Sequence, residues 1–192
     1  MELKMRMYSV LVVSASAEFL RSVSALLPAA KYAPITFAHG ISAAKRAVSE
    51  RDFDFVIVQA PLTDDVGLRF AVDLAGRKNT VTLLILPPEL YEETVGRAEE
   101  QGVFAVSRPL SKQSFLTAVS WITSARELLR KVEQKTQSME EKMEEIRLIN
   151  RAKWKLISEQ NLTEAEAHRM IEKLAMDRCV TKKTIAQEIL QK

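Results

Sequence analysis

The side chains able to do chemistry in this 192-residue chain are few. A single cysteine, Cys179, excludes a disulfide framework and a cysteine-based zinc cluster. Two histidines, His39 and His168, lack partners at metal-ligand spacing, so no metal site is expected. There is no Gly-rich phosphate loop and no Ser/His/Asp constellation, which makes an enzyme the least supported class and implies no cofactor. What remains is a set of cations near the C-terminus: Arg151, Lys153, Lys155, Arg169, Lys173, Arg178, Lys182 and Lys183. Residues 145–192 carry ten Lys+Arg against seven Asp+Glu. Arg169 and Lys173 are four apart and share one helical face, which His168 adjoins, whereas Lys153 and Lys155 cannot share a face. The formal net charge of the whole chain, +3, is too small to argue nucleic-acid binding by itself.

Hydrophobic residues make up 47% and charged residues 28%, the balance of a chain that folds in water. Five glycines and six prolines exclude a collagenous or low-complexity protein. No apolar run is long enough to span a membrane. Lys4 and Arg6 precede an apolar run ending in Ala15-Ser16-Ala17, a superficial match to a signal peptide. The residues that follow continue the pattern without a break. Tyr8–Ser14 is therefore read as a buried first strand, and the chain is expected to be cytoplasmic.

Residues 1–120 are charge-balanced and alternate short apolar runs with amphipathic stretches. Strands are expected at Ser9–Val13, Ile35–Ala38, Phe55–Val58, Val81–Leu86 and Val103–Val106. Helices are expected at about 17–27, 41–50, 65–76 and 90–101, with another from about 112. Apolar strands separated by single helices predict a doubly wound parallel sheet covered on both faces. Ligands of such sheets bind at the C-terminal strand ends, here Ser14–Ser16, Gln59–Pro61, Leu86–Pro88 and Arg108–Pro109.

Val10-Leu11-Val12-Val13, Asp54-Phe55-Val56-Ile57-Val58 and Ser107-Arg108-Pro109-Leu110 resemble a response-regulator receiver domain over residues 6–122, a flavodoxin-like α/β fold. The resemblance implies an acidic pair after the first strand, where this chain has Ser14 and Ala15. It implies a phosphoacceptor aspartate after the third, where the chain has Gln59. The Thr or Ser after the fourth strand is matched by Leu86, and the lysine before a proline by Arg108. An amide forms no acyl phosphate, and Ser14 and Ala15 offer no carboxylate to magnesium. The region is therefore expected to be a pseudo-receiver. Asp64-Asp65 lies several residues past Gln59 and is read as a helix cap. Arg108 could hydrogen-bond Gln59, hold an anion, or be solvated or locally paired.

From Trp121 to Ile157 a heptad pattern runs without glycine or proline. Leu129, Thr136, Met143, Asn150 and Ile157 fall at a, and Val132, Met139, Ile146 and Lys153 at d. One reading is a parallel coiled coil over 123–150 that dimerises through Leu129, Val132, Met139, Met143 and Ile146, with Asn150 fixing register. The other is an amphipathic helix that folds back on its own domain.

Two further helices are expected beyond Gln160. Thr163 is a good N-cap, with Glu164 and Glu166 in the first turn of a helix reaching about Arg178. Its buried stripe would be Leu162, Ala167, Ile171, Leu174 and Ala175. The last helix would start at Thr181 or Thr184. Ala152-Lys153-Trp154-Lys155-Leu156-Ile157, Leu162-Thr163-Glu164-Ala165-Glu166-Ala167, Ala175-Met176 and Ile185-Ala186 resemble an ANTAR domain over residues 143–192. That is a three-helix RNA-binding module of bacterial transcription antiterminators, which commonly follows a receiver through a coiled coil. The family often has Gly at the position of Trp154 and Met at that of Ile157. It usually has an aromatic residue where this chain has His168.

The resemblance implies a dimer that binds paired hairpin loops of a leader RNA. The pseudo-receiver, from a two-component background, would be controlled by a sensor protein or a ligand. RNA-contact candidates are the eight cations above together with His168. Trp154 is either a stacking platform or a plug between helices, and tryptophan's usual burial favours the plug. Ala167, Ala175, Met176 and Ala186 are read as packing residues, and Cys179 as a semi-buried small hydrophobe. Two alternatives stay open: an interaction adaptor that no longer binds nucleic acid, and a DNA-binding regulator. The missing glycine turn argues against the latter.

Overall fold

The computed structural model describes residues 6–62, 67–77 and 79–191. Five strands, β1 (Tyr8–Val13), β2 (Tyr32–Ala38), β3 (Phe55–Gln59), β4 (Val81–Leu86) and β5 (Phe104–Ser107), form one parallel sheet in the order β2-β1-β3-β4-β5. Helices α1 (Ala17–Leu26), α2 (Ile41–Glu50), α3 (Leu68–Ala75) and α4 (Pro88–Glu100) connect them. Then follow α5 (Lys112–Gln160), α6 (Glu164–Asp177) and α7 (Lys182–Gln191). The strands are apolar on consecutive residues because both faces are covered. Leu11, Val13, Val56, Val58, Leu84 and Leu86 pack with Ala44, Val48, Phe70, Leu74 and Ala98 on one side. Val10, Val12, Ile57, Leu83 and Ile85 pack with Leu20, Val23, Phe115, Val119 and Ile122 on the other.

The doubly wound α/β class is the one expected, and the differences are local. β2 begins at Tyr32 rather than Ile35. Pro34 argues against an interior strand, but β2 is an edge strand, where a missing amide is tolerated. α3 starts after Gly67, whose φ of +88° turns the chain into the helix. A Cβ there would stand 2.9 Å from Val58 Cγ1, so only glycine fits. The earlier start expected at residue 65, and the cap expected at Asp64-Asp65, lie outside the described residues. α4 begins two residues earlier than expected, with Pro88 in its first turn, where its lacking N–H costs nothing.

α5 is one unbroken helix of 49 residues. Its opening turns bury Phe115, Ala118, Val119 and Ile122 against the sheet. Contacts with the sheet continue past the expected domain end at 122. Arg126 Nε lies 3.0 Å and Arg130 Nη2 3.3 Å from Asp54 Oδ1. Two compact units divide between Lys131 and Val132. No helix among the described residues is long and apolar enough to cross a membrane.

In the C-terminal unit, Ala152 and Leu156 of α5 form a core with Ala167, Ile171 and Ala175 of α6 and Ile185 and Ala186 of α7. Small alanines let three short helices approach closely. The expected stripe forms, with Leu162 and Leu174 at its partly buried edge. The Thr163 cap is a full capping box: Glu166 N–H donates to Thr163 Oγ1 at 3.3 Å, and Thr163 N–H to Glu166 Oε2 at 2.8 Å. Two packing expectations fail. Met176 is 78% exposed, because Ala175 occupies the inward position beside it. Cys179 is exposed as well. It adopts φ +51° where α6 reverses, and Val180 N–H reaches back to the Ala175 carbonyl at 3.0 Å. That turn directs the thiol outward.

Candidate functional site

The C-terminal edge of the sheet was the first place expected to carry function. Ser14 is fully buried at the end of β1, and its hydroxyl donates to Gln59 Oε1 at 2.5 Å. Ser14 Oγ in turn accepts from Ser16 N–H at 3.0 Å. Gln59 is thus held by Ser14, not by Arg108. Ala15 is exposed and brings no polar group. Leu86 packs into the α2–α4 face, so the β4 residue beside Gln59 is its register partner Ile85. Arg108 is fixed through its backbone N–H, which donates to the Leu86 carbonyl at 2.7 Å. Its buried Nε has no hydrogen-bond partner among the described residues. The five positions Ser14, Ala15, Gln59, Leu86 and Arg108 therefore offer a neutral hydrogen-bonded pair, two apolar side chains and one guanidinium. None of them is a carboxylate that could accept a phosphoryl group. Among the described residues no three His, Cys, Asp or Glu side chains cluster as metal ligands would.

The second place is the C-terminal unit, where the expected cations divide into two groups. Lys153 Nζ binds Glu164 Oε1 at 2.9 Å, and Lys155 lies 3.7 Å from Glu159. Arg178 pairs with Glu188 across to α7. Lys182 pairs with Glu172, whose Oε1 also lies 3.3 Å from His168 Nε2. These contacts hold Glu164 and Glu172 below the usual carboxylate range, through Lys153 and Lys182 respectively. Glu166 is held low by the Thr163 backbone amide and hydroxyl, and Glu188 keeps the Arg178 guanidinium more firmly charged. Arg151, Lys173 and Lys183 form no ion pair or hydrogen bond among the described residues, and Arg169 only faces the capped Glu166.

The result is an uneven surface. Arg169, Lys173 and Met176 lie along the exposed side of α6, opposite Ala167, Ile171 and Ala175. On α5, Arg151 and Trp154 are one turn apart and exposed. Trp154 is 71% exposed, not a plug. Its neighbours Ala152 and Leu156 take the buried positions, and the helical period turns residue 154 outward. A groove of about 270 Å³ beside the indole is lined by Asn150, Lys153, Ile157 and Glu164.

The expected seam is solvent-facing. Leu129, Val132, Met139, Met143 and Ile146 are 40–59% exposed among the described residues.

Two features escaped the sequence reading. One is the network of Asp54, Arg126, Arg130, Glu127, Tyr8 and Arg6 at the opposite edge of the sheet. Its only signal was an acidic residue just ahead of an apolar strand and two arginines four apart. The other is a cavity between α1 and α5, which needs tertiary packing to exist.

Residues 137–190 match the family model of the ANTAR domain, reaching further up α5 than the expected start at 143. The chain is 27% identical over 139 residues to the transcriptional regulatory protein PdtaR of Mycobacterium tuberculosis, covering 72% of this chain and 67% of that protein. Among solved structures it resembles the signal receiver domain of an HD domain-containing protein from Pseudomonas fluorescens Pf-5. That match has a TM-score of 0.58 and 21% identity over 68% of this chain and 96% of the other. The chemotaxis response regulator CheY4 of Vibrio cholerae gives a TM-score of 0.53 and 19% identity over 60% of this chain and 98% of the other. At these identities the two structures speak for the fold alone.

Proposed function

From a chain that carries an ANTAR domain at residues 137–190 behind a receiver-like sheet, we propose an RNA-binding transcription antitermination regulator that works without an aspartyl phosphate. The observation that carries this reading is the division of charge in the C-terminal unit. Glu159, Glu164, Glu166, Glu172 and Glu188 are engaged by its own residues, while Arg151, Arg169, Lys173 and Lys183 face solvent or the unit's margin without an ion pair. Phosphates of a folded RNA would meet the Arg169–Lys173 side of α6. The exposed Trp154 would stack on an unpaired loop base. The uncovered seam supports a homodimer, and two linked modules would hold two leader hairpins more firmly than one. Control would pass through a sensor protein or ligand at the pseudo-receiver.

The test is binding of the full-length protein to an RNA with two adjacent hairpin loops, compared with single-hairpin RNA and duplex DNA, at two salt concentrations. Salt-sensitive preference for the double hairpin is expected, together with quenching of Trp154 fluorescence that Trp154→Phe removes. Equal binding to duplex DNA would replace this reading with the DNA-binding one. A small phosphodonor should leave the intact mass unchanged, and an acyl phosphate would overturn the loss of the switch.

One observation favours a second reading. Lys153, Lys155, Arg178 and Lys182 are all tied up within the unit, which is what an adaptor that had stopped binding nucleic acid would also show. An adaptor would bind no hairpin RNA at either salt concentration.

A further inference from the structure

The cavity between α1 and α5 has a volume of about 440 Å³ and opens at the C-terminal edge of the sheet. That is the size of a small-molecule site. Two walls are aromatic: Phe19 of α1 and Phe115 of α5 meet edge to face, with centroids 6.3 Å apart and planes at 88°. The floor is Ile85 and Gln59, and the amide of Gln59 is already held by Ser14. The charged groups are Arg108, Lys112 and Glu18, which leaves one cation in excess.

Arg108 is the informative residue. Its Nε is buried, yet it has no hydrogen-bond partner among the described residues. A charged donor withdrawn from water without an acceptor is unfavourable, so such groups are ordinarily met by a partner. Lys112 also has no ion pair or hydrogen bond among the described residues. The first turns of α1 and α5 border the cavity through Ser16 and Ser111, so the positive ends of two helices add to the same field. Apolar ring walls next to an unsatisfied guanidinium, a lysine and two helix N-termini describe a complement. It is a flat apolar body with a single anionic head.

We propose that this cavity binds a small aromatic or similarly apolar acid, a carboxylate or a phosphate monoester, with its anionic head on Arg108 and Lys112 and its ring packed against the wall that Phe19 and Phe115 form together. The site stands beside the lost phosphoacceptor position and forms no covalent bond. It does not depend on RNA binding by the C-terminal unit.

The experiment is calorimetric titration of the full-length protein with phenyl phosphate, benzoate, inorganic phosphate and benzyl alcohol. At least one of the two aromatic anions is expected to bind tenfold or more tightly than both inorganic phosphate and benzyl alcohol, and the order of the two identifies the head group. Arg108→Met should weaken that binding at least tenfold. Ser22→Phe, a change at an exposed position of α1 that lines the cavity, should remove it with Arg108 intact. Should Arg108→Met fail to fold, Ser22→Phe decides the question. Inorganic phosphate or benzyl alcohol binding within tenfold of the tighter aromatic anion, no saturable binding by either anion, or unchanged binding in a folded Arg108→Met or Ser22→Phe protein would each overturn the proposal.

Discussion

Arg126 on α5 places its Nε 3.0 Å from Asp54 Oδ1, just ahead of β3, with only 7% of the arginine side chain exposed. The same carboxylate accepts from Ser9 N–H at 3.0 Å and Ser9 Oγ at 3.1 Å through its other oxygen, and faces Arg130 at 3.3 Å. Arg130 continues to Glu127, which accepts from the Tyr8 hydroxyl at 2.8 Å. Burial, with the Glu127 contact behind it, pushes the Tyr8 phenol up to about 12, so it remains a neutral donor at any ordinary pH. The N-terminal turns of α5 are thereby fastened to the sheet one turn beyond Ile122, the last apolar residue they bury there.

Removing the carboxylate takes away the acceptor that Arg126 and Arg130, one turn apart on α5, share with Ser9. Asp54→Ala should lower the stability of the N-terminal unit by about 3 kcal/mol, the usual cost of breaking a largely buried ion pair. Arg6→Ala, whose side chain is 48% exposed, should cost less than about 1 kcal/mol. Urea unfolding followed by far-UV circular dichroism separates the two. Equal effects would mean that the network is a surface feature.

The sheet was legible because its strands are apolar on successive residues and each is followed by an amphipathic stretch. The N-cap at Thr163 was legible because it is local, whereas the reciprocal bond from Glu166 that completes a capping box is what the structure adds. What escaped depends on contacts far apart in the chain. Asp54 and Arg126 are 72 residues apart, and nothing in either neighbourhood marks the pair. Trp154 was misjudged by its residue type, although Ala152 and Leu156 on either side already defined which face is buried. The cations could be named from the sequence. Which of them would be neutralised could not, because Arg178–Glu188 and Lys182–Glu172 join α6 to α7 across a turn of unknown geometry.

That division predicts unequal effects of mutation on RNA affinity. Arg169→Ala and Lys173→Ala should each weaken binding across all hairpin sequences and reduce the salt slope by about one. Lys182→Ala and Arg178→Ala should change that slope less and the melting of the C-terminal unit more, since each breaks a contact between α6 and α7. Filter binding at four or five salt concentrations reads the slope directly. Identical slopes for all four variants would remove the basis for placing RNA on α6.

The seam should respond to charge where it is most exposed. Met139 and Ile146 stand one heptad apart at d and are 56% and 59% exposed in the single chain. Ile146→Lys places a cation in the centre of a paired seam and should shift sedimentation toward monomer. Glu141→Ala, at the outward f position, should leave it unchanged. An Ile146→Lys protein that sediments like the wild type would show that the helix does not pair through this face.

Acid should loosen the C-terminal unit by protonating the carboxylates that its own cations and cap hold charged. Glu164, Glu166 and Glu172 all titrate below the ordinary carboxylate value of 4.5, held there by Lys153, Thr163 and Lys182 respectively. A carboxylate whose folded-state value is depressed binds its proton more readily in the unfolded chain. Its contribution is therefore fully present above 4.5 and is lost as the pH falls below that value through the lowered one. Glu127 carries the same sign in the N-terminal unit: burial pushes it up, but the Tyr8 hydrogen bond and the Arg130 and Arg6 guanidiniums outweigh that. Thermal melts should show little change between about pH 7 and pH 5 from these groups, then a fall toward pH 3. In a Glu164→Gln/Glu172→Gln protein the melting temperature near neutrality should be lower and the acid fall shallower, because the pairs with Lys153 and Lys182 are already gone. An acid limb as steep as that of the wild type would place the pH dependence elsewhere in the chain.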